Sequence, residues 1–170
     1  MLILIIILGL VILISLITDL KDKKILNIVT FPAMIFGLSY YLFNQGWDGL
    51  LFSGLGFLVG LMVFLIPYLL GGMGAGDVKL MAAIGALTGA SFVFYSALIT
   101  SIIGGFIAIV LIIKRRGITF SIKSLFFSIP FLSSNLGSMI VNSKDNSSIS
   151  FPYGIAIFFG TIITFAWKGL

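Results

Sequence analysis

Every side-chain carboxylate in this chain is an aspartate: Asp19, Asp22, Asp48, Asp77 and Asp145. There is no glutamate, no histidine and no cysteine. Thiol chemistry, disulfides, His-based triads, zinc-finger spacings and haem ligation by histidine are therefore excluded. One hydrolytic chemistry that survives this composition uses two carboxylates a few ångströms apart. Such a pair cannot easily ionise twice, so it shares a proton. One member can take a proton from water while the other donates to a carbonyl. That chemistry needs no metal and no cofactor. The acid that stands out is Asp77, directly after Gly71, Gly72, Gly74 and Gly76 in the stretch GGMGAGDVKL. In a chain this apolar, an acid between a glycine loop and a helix is costly, and it marks a functional site whose partner has to be found.

The elements that must position it are membrane helices. Sixty per cent of the residues are hydrophobic and 9% are charged, which excludes a soluble globular domain. The formal charge is +5, but the basic residues sit at the ends of apolar runs. That placement suits orientation signals in a lipid bilayer and makes nucleic acid a poor partner. Residues 2–18 form a first span with Lys21, Lys23 and Lys24 after it, which puts the N-terminus outside and this loop in the cytoplasm. A second span covers about 28–43. The cluster Asn44-Gln45-Gly46-Trp47-Asp48-Gly49 is an outside turn, and a third span covers 50–70. Gly56 and Gly60 in that span have small-xxx-small spacing, read as helix packing. From Asp77 to Gly89 the apolar stretch is short, and as a helix it covers roughly 20 Å of an approximately 30 Å hydrocarbon core. It either starts below the membrane surface, with its loop in a recess, or runs on past Gly89. The fifth span is 91–113, ending on Lys114-Arg115-Arg116, and the last is about 151–167. Residues 117–150 are richer in Ser and Asn and read as a cytoplasmic or interfacial loop. The expected fold is all-α: a compact bundle of six transmembrane helices forming a single membrane-embedded domain over 1–170.

This topology brings Asp19 and Asp77 to the same cytoplasmic face, at the ends of the first and fourth spans. Asp22 lies among three lysines and reads as solvated. Asp48 is on the opposite face, and Asp145 is in the polar loop. A helix N-terminus favours an anion and a C-terminus disfavours it, so the expectation is that Asp77 holds the charge and Asp19 the proton. Blander readings stand beside this one. Asp77 is also what an ordinary helix cap looks like, and Asp19 can pair with Lys23 one turn on. A phosphate loop fits poorly, since no strand precedes the glycines and Asp77 would repel the ligand. A non-enzymatic scaffold or cation-conducting protein, with paired aspartates lining the path, is the alternative class.

Gly74-Ala75-Gly76-Asp77 matches the GxGD motif of intramembrane aspartyl proteases, and GAGDVKL resembles the type IV prepilin peptidase family in particular. That family also carries a pattern like DLxxxxIPNxLT after its first span. Residues 19–30 read DLKDKKILNIVT, matching at Asp19, Leu20, Ile25, Asn27 and Thr30, with Leu26 in place of the proline. Phe151-Pro152-Tyr153-Gly154 is similar to the start of the family's last span. The resemblance implies an endopeptidase that removes the short leader of prepilins, pseudopilins or preflagellins, the precursors of type IV pili and related secretion systems. Its substrates carry a hydrophobic N-terminal helix and are cut at the cytoplasmic face of the cell membrane. It implies Asp19 and Asp77 as catalytic residues and Gly74 and Gly76 as shaping the active-site loop. Larger members add a cysteine-bearing segment linked to N-methylation. The expectation here is the short, peptidase-only form, with no methyl transfer. The glycines are expected to let Asp77 move towards Asp19.

Overall fold

The computed structural model describes residues 2–69, 72–116 and 153–169, and every element among them is a helix. These are α1 (Leu2–Asp22), α2 (Asn27–Leu69), α3 (Ala75–Thr88), α4 (Ala90–Arg116) and α5 (Tyr153–Lys168). The chain divides into two compact units, one comprising Met1–Gly104 and Phe151–Leu170, the other Gly105–Ser150. The described part of the second unit is the continuation of α4 to Arg116. The loop expected over 117–150 lies outside the described residues, as do Phe151 and Pro152.

Three helices are long and apolar enough to cross a bilayer: Leu2–Asp22, Asn27–Leu69 and Ala90–Val110. The described helices thus number five, against the expected six. The difference is the merging of the second and third expected spans into α2. At 43 residues α2 would be about 65 Å long if straight. It is not straight. Gly46 sits at φ 60°, ψ −138°, where L side chains rarely go, and breaks the helix into two arms, 27–45 and 47–69. The contacts of the arms show that they run in opposite directions. Along the first arm Asn27 meets Lys79, and Gly37 and Tyr41 meet Ala86 and Leu87. Along the second, Ser53 meets Ala86, Gly56 meets Gly85 and Gly60 meets Met81. The polar turn read at Asn44–Gly49 is thus the bend of a helical hairpin.

Helix α3 is the centre of the first unit. Met81, Ala82, Ala83, Ile84, Ala86 and Leu87 are fully buried. The two arms of α2 hold it, and α1 and α5 also touch it. Side chains on the arms disappear where α3 comes close. A Cβ at Gly56 or Gly60 would strike the carbonyls of Gly85 and Met81, and a Cβ at Gly85 would strike Gly56. The Gly56/Gly60 spacing read as packing thus lies against α3. Two α2 hydroxyls reach its last turn: Ser53 donates to the Ala86 carbonyl (2.6 Å) and Tyr41 to the Leu87 carbonyl (3.2 Å). Both satisfy carbonyls that a helix end leaves without an internal partner. The helix stops at Gly89, at φ 82°, whose N–H donates to Gly85 (2.8 Å), and α4 begins at once at Ala90. The reading in which this helix runs on past Gly89 is therefore corrected, because the left-handed backbone at Gly89 cannot continue it. A 14-residue helix of about 21 Å is what results.

Candidate active site

Three helix ends meet at one end of this unit: the last turn of α1, the first turn of α3 and the first turn of α5. Asp19 comes from the first, on the face that also buries Leu8, Ile12 and Ser15. The helix continues past it to Asp22, so Asp19 is held inside a turn and not at a loose end. Asp77 comes from the first turn of α3. Both are buried, 6% and 7% exposed respectively, and Asp77 lies close enough to feel the charge of Asp19. Tyr153, the first residue of α5, is also within electrostatic reach of Asp77. The other two described acids, Asp22 and Asp48, are exposed.

Asp77 does two things with its two oxygens. Its Oδ2 accepts the backbone N–H of Gly74 (3.2 Å), while its own N–H donates to the Gly74 carbonyl (3.1 Å). That is the third residue of a helix reaching back to the cap position. The helix-cap reading is therefore correct as far as Oδ2 goes. Oδ1 is different: it is buried and finds no hydrogen-bond partner among the described residues. A cap needs one oxygen. Leaving the other orphaned in the interior costs on the order of 1–3 kcal/mol, and more when the group is charged. Such an atom is an expense to the fold and an asset to chemistry.

Asp19 is held by an element that sequence reasoning did not include in the site. Its Oδ2 accepts the backbone N–H of Gly154 at 2.8 Å, in the first turn of α5. The fit is tight: a Cβ on residue 154 would lie 2.6 Å from Oδ2, 2.9 Å from the Cβ of Asp19 and 3.0 Å from its Cγ. Only glycine brings that amide to the carboxylate. The signal was available in Phe151-Pro152-Tyr153-Gly154, but a backbone donor carries no side-chain signature. This contact also removes the ground for dividing the proton by helix ends. Asp19 lies near a C-terminus in its own helix, yet it receives an amide at the N-terminus of α5, as Asp77 does at that of α3.

Gly74 and Gly76 act through the space they leave and not through positive-φ backbone. Gly74 has φ −79° and ψ 148°, open to any residue, and neither Gly72 nor Gly76 has positive φ. A Cβ on Gly74 would come to 3.2 Å from Asp77 Oδ2, and one on Gly76 would come to 2.9 Å from the Cβ of Ile25. Ile25 belongs to the connector between α1 and α2, so Gly76 lets the start of α3 settle against the segment that follows Asp19. The described residues hold no group of three acidic, His or Cys side chains that could bind a metal.

Residues 5–109, which include both aspartates, match the model of the type IV leader peptidase family. The chain belongs to this family. The match ends before α5, so Gly154 lies beyond it. No curated protein and no solved structure matches the chain. Membership in a leader peptidase family suggests aspartic peptidase activity on leader peptides, and the helices suit a multi-pass membrane protein.

Proposed function

We propose that this protein is a membrane aspartic endopeptidase that removes the leader of prepilin-like precursors, with Asp19 and Asp77 as its catalytic pair. The observation that carries the reading is the orphaned Oδ1 of Asp77, buried beside a second buried aspartate in a family of leader peptidases. Each carboxylate is fixed through one oxygen by a backbone amide. That arrangement restricts rotation and leaves Oδ1 of Asp77 unspent. With one proton on the pair, the ionised member takes a proton from the attacking water. The protonated member gives its proton to the carbonyl oxygen of the scissile peptide, which becomes the gem-diol. Collapse of that intermediate moves a proton to the leaving nitrogen and restores the pair. Gly74 and Gly76 shape the loop that presents Asp77.

The membrane arrangement in this proposal has six crossings, with α2 contributing two because its arms turn back at Gly46. Large apolar side chains such as Leu10, Ile17, Phe43, Leu55 and Phe159 face outwards, as a lipid-facing surface requires. The lysines after α1 and Lys79 near the start of α3 set the aspartate end towards the cytoplasm. A precursor whose hydrophobic helix is embedded with its N-terminus on that side would present its leader junction at that end. The test is co-expression with a prepilin-like substrate. Asp19→Ala and Asp77→Ala should each abolish leader removal while the protein still inserts. A cation-conducting protein would instead keep function in the Asp→Glu variants and move ions in liposomes.

A further inference from the structure

Lys79 and Asn27 have no part in the chemistry above, yet they join the helix that carries Asp77 to the helix that follows Asp19's connector. Lys79 lies two residues after Asp77 on α3. Asn27 opens α2, after the four-residue connector 23–26 that leaves Asp19's helix. The Lys79 ammonium donates to Asn27 Oδ1 at 3.0 Å and sits 5.3 Å above the centre of the Phe31 ring, one helical turn further along the same arm. A cation over an aromatic face adds to the hydrogen bond. On the other side of Asp77, the missing side chain of Gly76 accommodates Ile25. The first turn of α3 is therefore gripped at residues 76 and 79 by residues 25, 27 and 31, and Asp77 sits between the two grips. Because the connector from Asp19's helix is only four residues long, whatever fixes Ile25 and Asn27 against α3 also restricts where Asp77 can stand relative to Asp19.

We infer that Lys79 and Asn27 are positioning residues: together with the Ile25–Gly76 contact, they clamp the Asp77 helix to the segment that follows Asp19 and set the spacing of the pair. The inference rests on the peptidase reading. Asp77 itself is docked between the two grips. A preset pair loses turnover when its spacing is disturbed, because small misplacements of reacting groups are costly. A clamp that acts only on this spacing should leave KM little changed.

The experiment is a double-mutant cycle with Lys79→Met and Asn27→Leu, read by steady-state cleavage of a prepilin-like substrate by purified protein in detergent. Rates are normalised to protein that elutes as a single folded species. Each single variant should lower kcat about 5- to 20-fold with KM within about twofold of the parent, and the double variant should be no worse than the weaker single. Lys79→Arg and Asn27→Asp preserve a donor and an acceptor, so each should keep at least about a third of the parent kcat. If either single variant turns over at the parent rate, or if the two losses multiply in the double variant, there is no clamp. If the removal variants do not fold, the conservative pair decides: loss of turnover in folded Lys79→Arg and Asn27→Asp would overturn the inference. Failure of the clamp is separable from failure of the peptidase reading. In the first case the parent cleaves and the aspartate variants do not. In the second the parent itself does not cleave.

Discussion

Substituting Gly154 by alanine tests the site where it was least visible. The amide of Gly154 holds Asp19, and a methyl group there would stand 2.6 Å from the carboxylate oxygen, 2.9 Å from Cβ and 3.0 Å from Cγ. Ordinary contact begins at 3.4 Å, so the atoms must separate by roughly 0.4–0.8 Å, judged by the steepness of close repulsion. Oδ2 could escape by rotating the carboxylate, but Cβ is tied to the backbone of α1. The displacement must therefore pass into the helix or into α5, and the 2.8 Å hydrogen bond lengthens with it. A misplacement of about 1 Å in a catalytic group costs up to about 100-fold in rate. The expected fall in kcat is accordingly about 10- to 100-fold, or about 1.4–2.7 kcal/mol in barrier height. KM should change by less than about threefold if ground-state binding is elsewhere. The assay is cleavage of a prepilin-like substrate by purified Gly154→Ala protein, with insertion confirmed by its level in the membrane fraction. Parent-like turnover in a variant that inserts normally would refute the tethering of Asp19 by α5.

Other expectations follow from the same packing. Gly74→Ala puts a methyl 3.2 Å from Asp77 Oδ2 without straining the backbone, so a milder loss of about 3- to 10-fold in kcat is expected from the smaller displacement, read in the same assay. Gly85→Ala drives a side chain into the Gly56 backbone in the middle of the bundle. It should destabilise by about 1–3 kcal/mol, seen as a lower Tm in detergent and reduced yield, before any effect on catalysis is considered. Tyr41→Phe removes the donor to the Leu87 carbonyl and should cost about 1 kcal/mol of stability, with kcat per folded molecule unchanged.

Much of this site was legible because charge is scarce in the chain. With five aspartates as its only side-chain acids, counting spans puts Asp19 and Asp77 on one face and Asp48 on the other, and the two motif resemblances then single out Asp19 and Asp77 as the candidate pair. The bend at Gly46 was likewise visible as a polar cluster between apolar stretches. What escaped were relations that exist only in three dimensions. Gly154 contributes a backbone N–H, which every non-proline residue has, and its value comes from lying against a residue 135 positions away. The glycine run before Asp77 looks like a hinge in one dimension, whereas in the fold Gly74 and Gly76 are places where a Cβ would touch Asp77 or Ile25. The shortness of the 77–89 stretch was plain from the sequence. That α3 is enclosed by both arms of α2, and so forms the core, could be seen only once those arms were placed.

If Asp19 and Asp77 act as one catalytic pair, neither can be replaced by a side chain that holds no exchangeable carboxyl proton. The most direct measurement is the single-turnover rate of leader cleavage by purified parent, Asp19→Asn and Asp77→Asn proteins. Asparagine keeps the shape of the side chain and an oxygen to accept the Gly154 or Gly74 amide, but it cannot exchange a proton. Acid–base groups of this kind contribute about 100- to 10,000-fold. Each variant should therefore fall by at least about 100-fold while retaining the parent's Tm within a few degrees. Cleavage above about a tenth of the parent rate by either folded variant would contradict the pair.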